Sequence, residues 1–275
     1  MSWPDNPQYK DIDLLHNMLN WSSEKGPIAC RGQADKDWLL QTSIDRLLDP
    51  KADYMARLAE ERATLEKFRV LAREYLGMAE KMYLDGSYPR DSVGALTVLQ
   101  HYRAPTRLLD WTESPWVALY FATIDHHDKD GAIWWFKHQA FYDGVHAAWD
   151  NIYHMKRYPP LNEVNLDDTA FSSDGPEWIS PLFCRVPFHR IEVQQGFFTV
   201  AGRLGYEHSA LIEDVLKKEE YGRIIVPKQL KQQILDRLRI MNIHSKSLDY
   251  PGADFVGKEL TRELKNAQQR TPVVH

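Results

Sequence analysis

Three short stretches of the 275-residue chain carry side chains that could do chemistry. The first is IACRGQ, where Arg31 is the only charge in an apolar run and is followed by Gly32 and Gln33. The second is TRLLDWT. In a strand the side chains alternate, so Thr106, Leu108, Asp110 and Thr112 share one face while Arg107, Leu109 and Trp111 take the other. The third is RIEVQQGFFTV; read as a strand, it puts Arg190, Glu192 and Gln194 on one face, with Gln195 on the other and Gly196 marking a bulge or a close approach.

A carboxylate at Asp110, in so apolar a segment, needs a partner, because burying it unpaired is strongly unfavourable. Arg31 is the most economical one. Two readings stand. In one, an Arg31–Asp110 ion pair fixes the register of two strands. In the other, Arg31, Gly32, Gln33, Asp110 and Thr112 line a cleft for an anionic or polar ligand, the arginine fork gripping phosphate and the glycine letting a ligand approach the backbone. Glu192 and Gln194, two apart, suit sugar hydroxyls or a developing cation, and equally suit a solvated strand face. His101 ends a helix just before TRLLDWT, placed either to exchange a proton near neutral pH or to cap the helix C-terminus. No Ser-His-Asp order, P-loop or GxGxxG can be assembled, so hydrolase, kinase and dehydrogenase readings receive no support.

The elements that must position these residues follow from periodicity and punctuation. Residues 8–22 read as an opening helix with Ile12, Leu15, Met18 and Leu19 on one side, and GPIACRGQ as a strand entered from a Gly-Pro turn. Residues 52–84 give an amphipathic helix, with Met55, Leu58, Leu65, Phe68, Leu71 and Tyr75 inward and Glu60, Glu61, Arg62, Glu66 and Lys67 outward. DGSYPRD is a turn and SVGALTVLQHY a second helix, ended by Ala104 and Pro105. TRLLDWT is a strand. Ser114 is a natural N-cap and Pro115 a natural first helical residue, so PWVALYFATIDHH starts a buried helix. Arg107, on the strand face opposite Asp110, reads as a structural anchor.

Further strands are expected at GAIWWF, FCRVPF, RIEVQQGFFTVA and YGRIIVP, and a helix at PKQLKQQILDRLRIMNI. Residues 139–180 lack a sustained period and read as a long excursion with short helices. The whole reads as one α+β domain: a central, mostly antiparallel mixed sheet flanked by helices.

With a formal charge of -5, the chain lacks the basic footprint of a dedicated nucleic-acid binder. Cys30 and Cys184 have no repeated spacing, which fits reduced thiols in a cytoplasm rather than a disulfide framework. The N-terminus has no basic-then-apolar leader pattern, and no apolar run approaches the length of a membrane span, so neither secretion nor a membrane partner is expected. There is no HExxH, HxH or CxxC; His126, His127, His146 and His154 read as exposed or core histidines, and no metal is expected.

Taken together, ACRGQADKDWLLQTSIDRLL, LQHYRAPTRLLDWTESPWVALYFA and RIEVQQGFFTV resemble the FRG domain family, whose motifs are an aromatic-Arg-Gly followed by Gln, an LxQHYGxPTRLLDWTxSPxxALYFA block and a later QQGxF. The resemblance covers residues 26–205, extends through VPKQL…SLDYPGADFVGKEL to residue 262, and leaves 1–25 as an N-terminal helical segment and 263–275 as a flexible tail. Cys30 stands where the family has Phe or Tyr, and Arg103-Ala104 where it has Gly-Leu. The family implies a bacterial or phage-linked context more firmly than it implies a reaction.

A looser similarity is to ADP-ribosyltransferases, in the order Arg31-Gly32, then Asp110-Trp111-Thr112, then Glu192-Val193-Gln194. It implies an ADP-ribosyltransferase-like fold with NAD as substrate. Gly32 would clamp the nicotinamide amide, Arg31 would hold pyrophosphate or ribose, and His101, Gln33, Thr112 and Gln195 would complete the binding site. Asp110 or Glu192, with Gln194, would stabilise the oxocarbenium-like state. The acceptor would be a protein or nucleic acid, the role that of a toxin or phage-defence effector, and a neutralising partner protein would accompany it. A non-catalytic module that binds a nucleotide, a nucleic-acid end or a protein is the alternative from another class.

Overall fold

In a computed structural model, the residues described are Trp3, Pro4, positions 12, 13, 15–17 and 19, and residues 26–84, 92–153, 171, 177–184 and 189–248. Six strands form one sheet: β1 (Ile28–Gln33), β2 (Leu108–Thr112), β3 (Gly131–Lys137), β4 (Ile179–Leu182), β5 (Gly196–Ala201) and β6 (Tyr221–Val226). Their order is β4-β5-β2-β1-β3-β6 and every pairing is antiparallel, so the expected mixed sheet is in fact uniform. Among the described residues, the helices that pack around it include α1 (Tyr54–Ala72), α2 (Met78–Leu84), α3 (Ser92–His101), α4 (Pro115–Thr123), α5 (His138–Tyr153), α6 (His189–Val193), α7 (His208–Glu213), α8 (Lys231–Ile240) and α9 (Ser245–Leu248).

The sheet is two three-stranded halves. β1, β3 and β6 zip together over full registers, as do β2, β5 and β4, but β1 meets β2 at a single paired position, Cys30 opposite Thr112. Beyond that pair the two central strands part. Helix α4 spans the sheet as a buried rod: Ser114 Oγ accepts from Val117 N at its start, Pro115 follows, and all but Trp116 and Phe121 of its residues are buried. It lies so close to β1 that a Cβ at position 32 would sit 1.8 Å from the Ala118 carbonyl oxygen, and one at Gly131 2.3 Å from that of Ala122. Two glycines therefore set the helix-to-sheet distance.

One apolar cluster fills the face that carries α1, α3 and α5; the other gathers α4, α8, Ile12, Leu15 and Leu19. α8 is pinned by Lys231, whose buried ammonium donates to the carbonyls of Ala34, Asp125 and His126 at 2.7–3.0 Å.

Four expectations need correction. Glu61 is not on the solvent side of α1: it is fully buried between Leu58 and Leu65, and it grips Arg107 with both carboxylate oxygens, while Met55, Leu71 and Tyr75 are exposed. Within residues 139–180, expected to hold only short helices, the chain up to Tyr153 belongs to one continuous helix from His138, because Phe141, Val145 and Trp149 recur every four residues and are buried. Of the strand expected at FCRVPF, Phe183 and Cys184 are not in a strand and 185–188 lie outside the described residues; a strand runs just upstream, at Ile179–Leu182. RIEVQQGFFTVA is a strand only from Gly196; Arg190–Val193 form the short helix α6, which removes the alternation assumed for Arg190, Glu192 and Gln194. The DGSYPRD turn, Met18, His154 and the 263–275 tail lie outside the described residues.

Candidate functional site

The parting of β1 and β2 opens a cavity of about 170 Å³. Arg31 and Gly32 line it from β1, Asp110, Trp111 and Thr112 from β2, Val117 and Phe121 from α4, and Arg190 and Gln194 from α6 and the turn after it. Cys30 closes the floor, its thiol buried and held well above the ordinary range by desolvation, which leaves it protonated and inert.

Arg31 bridges the gap. Its Nη1 donates to the Asp110 carbonyl at 2.8 Å, supplying a hydrogen bond to a carbonyl at the point where the β1–β2 ladder has ended. The same nitrogen is 3.6 Å from Asp110 Oδ2. Burial lowers the guanidinium from its usual range and the Asp110 carboxylate opposes that, with nearby Arg46 adding to the lowering; an arginine stays charged nonetheless. Arg31 Nε is buried and bonds to no described residue. The side chain is 20% exposed and that of Asp110 45%. The ion pair foreseen from sequence thus exists, and it sits on the lip of a cavity rather than inside a sealed core.

Asp110 has a second partner that sequence reading passed over. Gln100, in the last turn of α3, donates from Nε2 to Asp110 Oδ2 at 2.8 Å, while its Oε1 accepts from the Thr106 hydroxyl at 2.5 Å. The signal available was position alone: a glutamine one residue before His101, in the helix that leads directly into the Asp110 strand.

Thr112 holds the third element in place. Its hydroxyl donates to the Gln194 carbonyl at 2.6 Å and accepts from Ser114 N at 3.0 Å. That bond fixes the turn in which Gln195 adopts a left-handed φ of 47° before β5 begins. Gln194 faces the cavity and donates from Nε2 to the Leu248 carbonyl at 2.9 Å. Glu192 and Gln195 are exposed and do not line the cavity.

Gln33 also lies outside the lining: it is buried, donates to the Leu39 carbonyl and accepts from Trp134 Nε1 at 2.6 Å, which occupies both ends of its amide. His101, outside the lining too, packs edge-on against Tyr102. Gly32 lines the cavity by its backbone, and the approach of α4 is by itself enough to demand glycine there. So five of the nine residues foreseen, Arg31, Gly32, Asp110, Thr112 and Gln194, converge.

The wall at Trp111 is fixed from behind. Its Nε1 donates to Thr199 Oγ1 at 2.9 Å, and that hydroxyl is 2.8 Å from His208 Nδ1. His208 is fully buried; desolvation first, then the positive charges of Arg31 and Arg107, hold it down to about 3, so it is neutral at physiological pH. Arg107, just before β2, does not line the cavity. Burial lowers it, the Glu61 carboxylate outweighs burial, and the net direction is up. Its Nη1 reaches the carbonyls of Ala201 and Gly202, and its guanidinium stacks 4.7 Å over Phe171.

Residues 27–131 match the family model of the FRG domain, so the stretch from β1 to the start of β3 is FRG-domain sequence. Arg31, Gly32, Gln33, His101, Asp110 and Thr112 lie within it; Glu192, Gln194 and Gln195 lie beyond. No curated protein and no solved structure matches the chain. Among the described residues no helix is long and apolar enough to cross a membrane, and no three His, Cys, Asp or Glu side chains gather as metal ligands.

Proposed function

We propose that the chain binds NAD in the β1–β2 cleft and transfers ADP-ribose to a macromolecule, as an ADP-ribosyltransferase-like protein. The observation that carries this reading is the split between the two central strands, with Arg31 on one lip and Asp110 on the other. A cation and a carboxylate facing each other across a groove suit a ligand that is anionic at its phosphates and becomes cationic at one sugar carbon. The cavity is smaller than the roughly 300–1,000 Å³ of pockets that enclose a whole small molecule. It suits one end of the dinucleotide, the nicotinamide ring against Trp111, Val117 and Phe121, with the remainder running outward past Arg31 and Arg190.

In this reading the bond between the ribose C1′ and the nicotinamide nitrogen breaks, and its electron pair leaves with nicotinamide. The Asp110 carboxylate stabilises the positive charge that develops on the sugar. An acceptor nucleophile then bonds to C1′ and gives up its proton. Glu192, exposed outside the cavity, has no part in that step, so the charge comes from Asp110. An activity of this kind suits a toxin or phage-defence effector kept in check by a neutralising protein.

One observation favours a second reading, a non-catalytic nucleotide-binding module: the third element presents an amide, Gln194, to the cavity instead of a carboxylate. The test is to incubate the protein with NAD and follow free nicotinamide and label transfer to protein, DNA and RNA. Release, lost by about a hundredfold or more in Arg31→Ala and Asp110→Ala and retained in Glu192→Gln, supports transfer. An NAD-dependent thermal shift without release supports the binding module.

A further inference from the structure

We propose that Gln100 is a positioning residue whose side-chain amide sets the Asp110 carboxylate, leaving Oδ1 as the oxygen open to a ligand in the cleft. The inference rests on the NAD reading for its catalytic consequence, and on geometry for the relay itself.

The relay is directional. Leu108 N donates to Thr106 Oγ1 at 3.2 Å, which leaves the threonine proton to point at Gln100 Oε1, 2.5 Å away. With its oxygen so engaged, the amide presents Nε2 to Asp110 Oδ2 at 2.8 Å, and an ionised carboxylate only accepts. A flipped amide would set an oxygen against the carboxylate and an NH2 against the hydroxyl proton, so one orientation alone satisfies both ends. Thr106 is itself clamped: its N–H donates to Ser43 Oγ at 3.0 Å, and its carbonyl accepts from Ser43 Oγ and from Ile44 N, both at 3.2 Å. Gln100 and Arg31 thus both address Oδ2, and no described residue donates to Oδ1. The chain of bonds begins on the segment 43–44, crosses the start of β2 and ends on the lip of the cleft.

Such a role leaves a kinetic signature. A carboxylate free to turn is misplaced for a charge that develops only as the bond breaks, and a misplacement of about 1 Å costs about a hundredfold in rate. Gln100→Leu is therefore expected to lower kcat for nicotinamide release by about a hundredfold, with KM for NAD little changed and the thermal midpoint retained. Gln100→Glu, which turns an acceptor toward Asp110, falls at least as far, and Thr106→Val, which frees the amide to flip, loses part of the rate. Wild-type kcat in folded Gln100→Leu, or equal losses in kcat and KM affinity, overturns the proposal.

A second measurement needs no turnover. In the nitrogen–proton spectrum, the Gln100 side-chain amide signals are expected to move in Asp110→Ala and in Thr106→Val; signals unmoved in both overturn the relay. Wild-type protein that leaves NAD intact sinks the transferase reading, and the amide signals alone then decide the relay.

Discussion

Arg107, just before β2, and Asp110, within it, stand three positions apart and meet different fates, and the difference lies in what each faces. Arg107 is sealed against Glu61, both essentially inaccessible to water. Removing the carboxylate strands a buried guanidinium, and breaking such a pair costs about 3–5 kcal/mol. Glu61→Ala is expected to lower unfolding free energy by that order in urea titration, and an unchanged midpoint would remove Glu61 from the core. His208 gives the chain a pH signature. Its folded value, about 3, lies below the ordinary 6.5, so between those two the unfolded chain binds the extra proton. Its contribution is fully present above pH 6.5 and is lost as pH falls toward 3. Stability between pH 6 and 4 should therefore fall by up to about 1.4 kcal/mol per pH unit more steeply in wild type than in His208→Gln; parallel profiles would contradict this.

At the scale of elements, the end of α3 shows what a departure from the family motif means physically. Arg103 occupies the position where the motif has glycine, and it adopts a left-handed φ of 62°. Ala104 N bonds back to the Leu99 carbonyl and Arg103 N to that of Gln100, the pattern of a helix closed by a left-handed residue. Arg103→Gly is expected to stabilise the fold by about 0.5–1 kcal/mol, read as a raised thermal midpoint; a lowered midpoint would show that the arginine side chain outweighs its backbone strain.

Most elements were legible because their punctuation was strong: Ser114-Pro115 opened α4, and alternating or short apolar runs marked β1, β2, β3 and β6. The misreadings share one cause, a judgement by residue type over position. Glu61 looked like a surface residue although it lies three after Leu58 and four before Leu65. Gly144 and Asp143 hid the four-residue recurrence of Phe141, Val145 and Trp149; Gly144 is there because a Cβ would meet the Val215 carbonyl at 2.0 Å. At Glu192 the apolar spacing of Ile191 and Val193 fits a strand as well as a single helical turn, and the chain takes the turn.

Over the whole molecule, the sheet's division into two three-stranded halves is the fact from which the site follows. It was not legible, because nothing in IACRGQ or TRLLDWT says that their ladder ends after one pair. What could be read was the pairing of Arg31 with Asp110, and the structure gives that pair its setting by parting the strands beside it. An acidic chain whose cleft is lined by two arginines, Arg31 and Arg190, is suited to a small anionic ligand more than to an extended nucleic-acid surface.

The most direct test is the release of nicotinamide from NAD by the purified protein, run beside Arg31→Ala and Asp110→Ala variants shown to be folded. NAD-dependent release is expected in wild type, with a loss of about a hundredfold or more in both variants. Wild-type protein that releases no nicotinamide and shows no NAD-dependent thermal shift would contradict it.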